Sequence, residues 1–182
     1  VYGLNIYGAN DNASGTGVML SVAEKVAAKP LQNTELWIAA TGAEEAGLVG
    51  MTAFLARHKD ELQDALIINL DHVGVGQIKY VTGEGMIKVF PSDPELLMLS
   101  AEVVRENPDL SPVPVEHRTC VSDAYAALVK GYRAMSVVAL DEDGAVPNWH
   151  WETDRIENLE EKNLQDVEQF VEILLNKIDS ER

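Results

Sequence analysis

Apolar positions recur along this chain with two alternating periods. From Ser14 to Ala28, Val18, Val22 and Val26 repeat at helical spacing, and Pro30 closes the segment. Within Glu35–Thr41, Leu36-Trp37-Ile38-Ala39-Ala40 is a short continuous apolar run, the pattern of a buried strand. The pattern then predicts a helix over 46–58 and a strand over 65–70. Two more strands are expected at 77–81 and 86–90, around a turn at Gly83-Glu84-Gly85. Pro94 opens a helix reaching Glu106, which Asn107-Pro108 stops. A shorter helix is predicted over 122–129 and a strand over 135–140. Leu164, Val167, Val171, Leu174, Leu175 and Ile178 form one apolar stripe on an otherwise charged segment, the signature of an amphipathic helix.

Buried strands alternating with helices imply an α/β fold. The expected architecture is a three-layer α/β/α sandwich around a mixed, mostly parallel sheet. Such sheets place ligand sites beyond the strand ends, where loops meet helices. A length of 182 residues, 46% hydrophobic and 24% charged, fits one soluble globular domain over 1–182, with no repeat or linker dividing it. No apolar run reaches the length of a membrane-spanning helix, and no signal-peptide pattern is found. The formal charge of −16 argues against nucleic acid as a partner, because phosphate backbones are bound by Lys and Arg. Most of that excess is expected on a solvated acidic surface. Cys120 is alone, so no internal disulfide can form. The first residue is Val1 rather than Met, which fits a piece of a longer parent and leaves localisation open.

Candidate chemistry gathers at the predicted junctions. Asp11 lies in Gly8-Ala9-Asn10-Asp11-Asn12-Ala13-Ser14-Gly15, ahead of a helix, and Glu44-Glu45 precede the next one. Asp71 ends a predicted strand in Asn69-Leu70-Asp71-His72-Val73-Gly74, and His150 lies between Trp149 and Trp151. Three carboxylates and one imidazole suit zinc, and a further carboxylate beside a ligand suits a general base. Each also has an ordinary structural explanation: Asp11 as a cap, the glutamates in a helix dipole, Asp71 as a turn former, His150 as a packed ring. Their joint appearance in this order favours chemistry. Neighbours in extended chain point to opposite sides, so one glutamate can hold a metal while the other faces water. By the same geometry His72 should point away from whatever Asp71 binds. His58 with Asp60 is assigned to the surface, and Cys120 near His117 to an inert buried thiol.

At these residues the chain resembles the M28 family of zinc aminopeptidases, whose zinc-exopeptidase-like fold carries co-catalytic metals. The Asp11 segment resembles the one with a metal-bridging aspartate. Thr41-Gly42-Ala43-Glu44-Glu45-Ala46-Gly47-Leu48-Val49-Gly50 resembles the one in which the first glutamate is the base and the second a ligand. The Asp71 segment resembles another ligand-bearing stretch. Ser122-Asp123 followed by Gly131-Tyr132-Arg133-Ala134 resembles a stretch near the substrate pocket, and Asn148-Trp149-His150-Trp151-Glu152-Thr153-Asp154 the last histidine ligand. Two features depart from the family pattern. Residues 1–10 contain no histidine where a His-x-Asp strand is expected shortly before Asp11, so the chain looks N-terminally truncated relative to the family. Ala124 stands where many members have histidine.

The resemblance implies an aminopeptidase that cleaves N-terminal residues from peptides through a metal-activated water, with Glu44 as general base. Asp11 would bridge two zinc ions, Glu45 and His150 would complete one site, and Asp71 would serve the other. The intact family site holds two zincs, and this chain is expected to hold one or two. Asp123 is a candidate partner for the substrate amine, with helix capping as its alternative. Trp149 and Trp151 are candidate pocket walls, with packing as theirs. Expected partners are a peptide or small amide substrate, and the oligomeric state is open. A secreted or extracytoplasmic parent is among the settings the family offers. Two other functions stand beside this one: a glutaminyl-cyclase-like single-zinc acyltransferase, and a catalytically impaired peptidase-like binding module.

Overall fold

The computed structural model describes residues 6–182. Strand β1 (Leu66–Leu70) shows how the sequence builds the layers. Leu66, Ile68 and Leu70 pack into the larger of two helix-backed cores, and Ile67 into the other, as the period-2 alternation of a strand requires. Strand β5 (Arg133–Leu140) divides in the same way, Met135 and Val137 facing one core and Ala134 the other.

β1 and β5 run parallel, with Leu66 opposite Arg133 and Leu70 opposite Val137. β5 pairs antiparallel with β2 (Gln77–Glu84), Gln77 opposite Leu140. β2 in turn pairs antiparallel with β3 (Phe90–Pro91) and parallel with β4 (Val113–His117), with a register shift between Val81 and Gly83. The result is an open mixed sheet of five strands among the described residues.

Helices α1 (Gly15–Ala28), α3 (Pro94–Glu106) and α5 (Glu161–Ser180) cover one face. Helices α2 (Val49–Arg57) and α4 (Asp123–Val129) cover the other. The expected three-layer sandwich is therefore present. The stripe predicted near the C-terminus is the buried face of α5, with Phe170 added to it. α3 begins where Asp93 accepts from the N–H groups of Glu95 (3.0 Å) and Leu96 (3.1 Å), and Arg133 Nε donates to the same carboxylate at 2.8 Å. That bond ties a helix start to a sheet end.

Three expectations fail, each for a physical reason. The apolar run at 35–41 is not a strand: it makes no ladder with any described residue, and Trp37 and Ile38 are both exposed. A strand needs a hydrogen-bonding neighbour, which apolar composition alone does not provide. The turn placed at Gly83-Glu84-Gly85 is displaced, because Gly83 and Glu84 still pair with Pro91 and Phe90. The chain reverses over 85–89 instead, so the strand expected there shrinks to two residues. β4 was not predicted, since Pro114 breaks its pattern; its proline is tolerated because β4 pairs with β2 alone among the described strands.

One glycine is required by packing. A Cβ on Gly15 would lie 2.3 Å from the carbonyl oxygen of Leu70 and 2.4 Å from Asn12 Oδ1, whereas one on Gly17 would meet nothing within 4 Å. Gly15→Ala should therefore lower the unfolding free energy by about 1–3 kcal/mol through forced backbone displacement. Gly17→Ala, one half-turn away in the same helix, should leave it unchanged or raise it by about 0.5–1 kcal/mol. Urea denaturation of both variants checks the contrast.

Candidate metal centre

The loops that carry the candidate residues meet at the end of the sheet to which the parallel strands β1 and β5 both run. Asp71 follows directly on β1, and its N–H donates to Val137 O at 3.1 Å. His150 lies in the long connection after β5. Asp11 sits in a wide helical turn, Ala9–Ser14, that is interrupted by its own extended angles (φ −111°, ψ 91°). That turn is laced to the segment after β1 by polar side chains. Asn12 Nδ2 donates to Leu70 O at 2.9 Å, Val73 N–H to Ser14 Oγ at 3.1 Å, and Gly74 N–H to Asn10 Oδ1 at 2.8 Å. From the other side, buried Asp154 accepts from the N–H groups of Asn10 (2.5 Å) and Asp11 (3.1 Å).

Asp11, Glu45 and His150 lie together. His150 Nε2 stands 2.5 Å from Glu45 Oε1 and 3.6 Å from Asp11 Oδ2, and one donor atom from each residue lies within 4.8 Å of the others. Asp71 is not part of this trio. It forms a second cluster with Asp11 and His72, again with one donor atom from each within 4.8 Å of the others. The placement of His72 corrects the expectation that it points away from Asp71. Its backbone is left-handed (φ 44°), so the alternation of extended chain does not apply, and its Nε2 lies 3.4 Å from Asp71 Oδ1.

Left-handed backbone marks the whole site. Ala43, Leu48, His72, Asn148 and His150 all have φ between 44° and 61°, and they flank or are the candidate residues. Each such residue costs on the order of 1 kcal/mol, and strain of this kind concentrates where side chains must be aimed.

The electrostatics favour a cation. Burial, reinforced by Glu45, raises the Asp11 carboxyl to about 6. Burial and then Glu45, Asp123 and Asp11 raise Glu44 to about 7. Asp71, nearly sealed from solvent, is pushed well above the carboxylate range by burial and by Asp11. Burial drives the His72 imidazole down to about 3, so it is neutral, the form that ligates metals. Among the described residues, no Lys or Arg lines the cleft. Clustered oxygens with one imidazole, crowded and uncompensated by protein cations, are the donor set that a divalent ion satisfies. Asp11, Glu45 and His150 therefore fit such an ion.

The remaining candidates divide. Asp123 is buried at the start of α4; its Oδ2 accepts from Thr41 Oγ1, while Oδ1 has no partner among the described residues. The capping alternative belongs to its neighbour, since Ser122 Oγ accepts from Ala124 N–H at 3.2 Å. Trp149 lines both the acidic cleft and an adjoining apolar cavity of about 400 Å³, to which Val146, Pro147 and Trp151 also contribute. His58 contacts Trp37, Phe54 and Glu61 and does not belong to the site. His117 Nε2 is 3.0 Å from Cys120 Sγ, and burial pushes that thiol up to about 12, consistent with an inert cysteine.

Sequence reasoning missed Asp154, Glu84 and the role of Asn10 and Ser14. Asp154 stands four residues past His150, and nothing in its residue type distinguished it from the surrounding acids. Glu84 is fully buried, accepting from Ser122 Oγ at 3.1 Å and Ser136 Oγ at 3.0 Å, so it braces the segment that carries Asp123.

A family model described as peptidase family M28 matches residues 2–174. The chain is 39% identical over 80 residues to the alkaline phosphatase isozyme conversion protein of Escherichia coli (strain K12), covering 43% of this chain and 23% of that protein. A solved zinc aminopeptidase from Bacillus subtilis matches with a TM-score of 0.79 and 26% identity, over 94% of this chain and 42% of its own. A glutaminyl cyclase from an Acidobacteriales bacterium matches with a TM-score of 0.73, over 99% of this chain and 65% of its own; at 15% identity it shows the shared fold alone. The chain thus spans less than half the length of the first two relatives.

Zinc added to chelator-treated protein should raise its unfolding midpoint. At a free concentration a hundredfold above the dissociation constant, the gain is about 2.7 kcal/mol. Asp11→Asn should lose most of that response and, without metal, be at least as stable as the parent, because one buried like charge is gone. Thermal unfolding with and without zinc checks both statements.

Proposed function

The chain belongs to peptidase family M28, and from that membership we propose that it is the catalytic domain of a zinc aminopeptidase, a hydrolase that removes N-terminal residues from peptides. One observation carries the reading: Asp11, Glu45 and His150 converge on one point, with Glu44 beside them on the cleft wall. The Bacillus subtilis relative, described as a zinc aminopeptidase, supports both the metal and the activity.

Asp11, Glu45 and His150 would hold the ion. When bound, zinc supplies a Lewis acid for the scissile carbonyl and makes water a stronger nucleophile at neutral pH. Glu44 takes a proton from the attacking water, in this reading, as the water oxygen bonds to the amide carbon. The same carboxyl then delivers that proton to the departing amine nitrogen, which restores the carboxylate. Asp123, through its unpartnered Oδ1, receives the substrate's terminal ammonium. Trp149 walls the reacting region, and the apolar cavity beside it accommodates the first side chain and excludes water.

A glutaminyl-cyclase-like reading is the second. It is favoured by the completeness of the Asp11–Glu45–His150 trio as a single-ion donor set. In that case the substrate's own amine attacks the γ-amide of an N-terminal glutamine and releases ammonia, with the chain left uncut.

Glu44→Gln should lower kcat on amino-acid anilides by roughly 10²–10⁴-fold, the scale of general-base catalysis, with zinc content unchanged. His150→Ala should lose zinc along with activity. Release of ammonia from a glutamine-terminated peptide, with the anilides left intact, would replace the first reading by the second.

A further inference from the structure

We propose that the cavity beside Trp149 selects a long first side chain ending in a positive charge, arginine or lysine, and that Asp141 recognises that charge. The proposal rests on the aminopeptidase reading above and names the substrate class of the same site.

Three features of the cavity carry it. The first is continuity with the acidic cleft, since Thr119, Cys120 and Trp149 line both. A residue whose ammonium and carbonyl lie in the cleft can extend its side chain past Trp149 into the cavity. The second is the shape of the walls. Val146, Pro147, Trp149 and Trp151 enclose about 400 Å³ with apolar surface, which suits a run of methylenes. The third is a carboxylate in that wall. Asp141 is the first residue after β5, and its own turn fixes it. Its Oδ1 accepts from the N–H groups of Asp143 (3.0 Å) and Ala145 (2.8 Å), and its N–H donates to Ala145 O at 2.9 Å. Oδ2 has no hydrogen-bond partner among the described residues.

A turn-forming role explains less. The turn uses one side-chain oxygen, which asparagine would supply equally well; the second oxygen is left for a ligand. Among the described residues no Lys or Arg lines the cavity, and the cation–π pairs are Lys88 on Phe90 and Arg155 on Tyr7, neither on Trp149 nor on Trp151. Glu142 and Asp143 add negative charge to the same exposed turn. A leucine side chain would use the indoles but would displace water from Asp141 without replacing its hydrogen bonds. An arginine or lysine stem lies along the same indoles and brings its charge to Oδ2.

The test uses the whole chain with zinc and compares arginine, its neutral isostere citrulline, and leucine. As free amino acids they are products of such a reaction, so they bind without being turned over, and only their side chains differ. Binding is read from the indole N–H signals in proton NMR, with Trp149→Phe and Trp151→Phe assigning them. Hydrolysis of the three corresponding anilides is followed in parallel. Arginine should bind roughly tenfold more tightly than citrulline, the scale of one charge-assisted hydrogen bond at a partly open site, and shift the signals of Trp149 and Trp151. Asp141→Asn, which keeps an oxygen for the turn, should bring that ratio close to one. Equal affinity for arginine and citrulline, or tightest binding of leucine, would overturn the proposal; turnover of the leucine anilide would then leave the aminopeptidase reading standing. A charge preference without turnover of any anilide would uphold the cavity's selectivity and refute the aminopeptidase reading. Absence of both would overturn both. The arginine-to-citrulline ratio in the unmodified chain decides the matter even if a variant does not fold.

Discussion

The site depends on a short seam of hydrogen bonds between the turn before α1 and the turn after β1. Asn10, Asn12 and Ser14 reach from the first turn to the backbone of Leu70, Val73 and Gly74 in the second. Gly15 presses against Leu70 O at a distance no side chain would allow. The seam works against an opposing force, because it holds Asp11 and Asp71 with carboxylate oxygens within 4.8 Å. If both were ionised at an effective dielectric constant near 20, they would repel by roughly 3–4 kcal/mol. A net gain of about 1 kcal/mol per hydrogen bond is enough to offset this only because several act together on one rigid turn. The upward-shifted pKa values of both carboxyls reflect the same crowding and burial, which a divalent ion would relieve.

Much of this was legible in the sequence, for reasons that differ by residue. The helix periodicity of α1, α3 and α5 and the apolar β1 and β5 fixed the layers, because their burial is set by local pattern. Asp11, Glu44, Glu45 and His150 stood out because chemistry needs those residue types at loop ends. The strand expected at 35–41 failed because ladder partners are non-local. β4 was hidden by Pro114, and the true reversal after Glu84 by a Gly-Glu-Gly string that resembles a turn but lies partly within a pairing. His72 was misjudged because its direction follows from one backbone dihedral, which residue type does not determine. Asp154 and Glu84 escaped for another reason: they act on backbone and on hydroxyls, and an acidic chain offers many aspartates and glutamates of identical appearance.

The cleft also separates two tasks by polarity. On one side stand four acids, Asp11, Glu44, Glu45 and Asp71, with two histidines whose rings are aimed by left-handed backbone. On the other lies an apolar cavity walled by Val146, Pro147, Trp149 and Trp151. Trp149 belongs to both, and its ring sits 4.4 Å from that of His150 at a tilt of 36°. A candidate metal ligand and a candidate pocket wall are therefore adjacent residues with rings in contact. A ligand with a positive group at one end and an apolar group beside it meets complementary surfaces in both places.

That adjacency bears on how Glu44 and Glu45 come to differ. They are consecutive, share one turn, and differ in surroundings. Glu45 meets His150 and is largely exposed, whereas Glu44 is half-buried and flanked by Glu45, Asp123 and Asp11. The turn is closed by Gly47 N–H and Leu48 N–H donating to Glu44 O at 2.9 and 2.8 Å, which prevents the two side chains from exchanging places. Burial and its negative neighbours make the Glu44 carboxyl hold its proton more tightly than a free carboxyl does. A ligand must stay ionised while a base must cycle, so under the proposed mechanism the two roles are divided by environment rather than by residue type. Asp123 deepens the difference, because its charge faces Glu44. Glu84, buried behind Ser122, fixes the segment on which Asp123 stands.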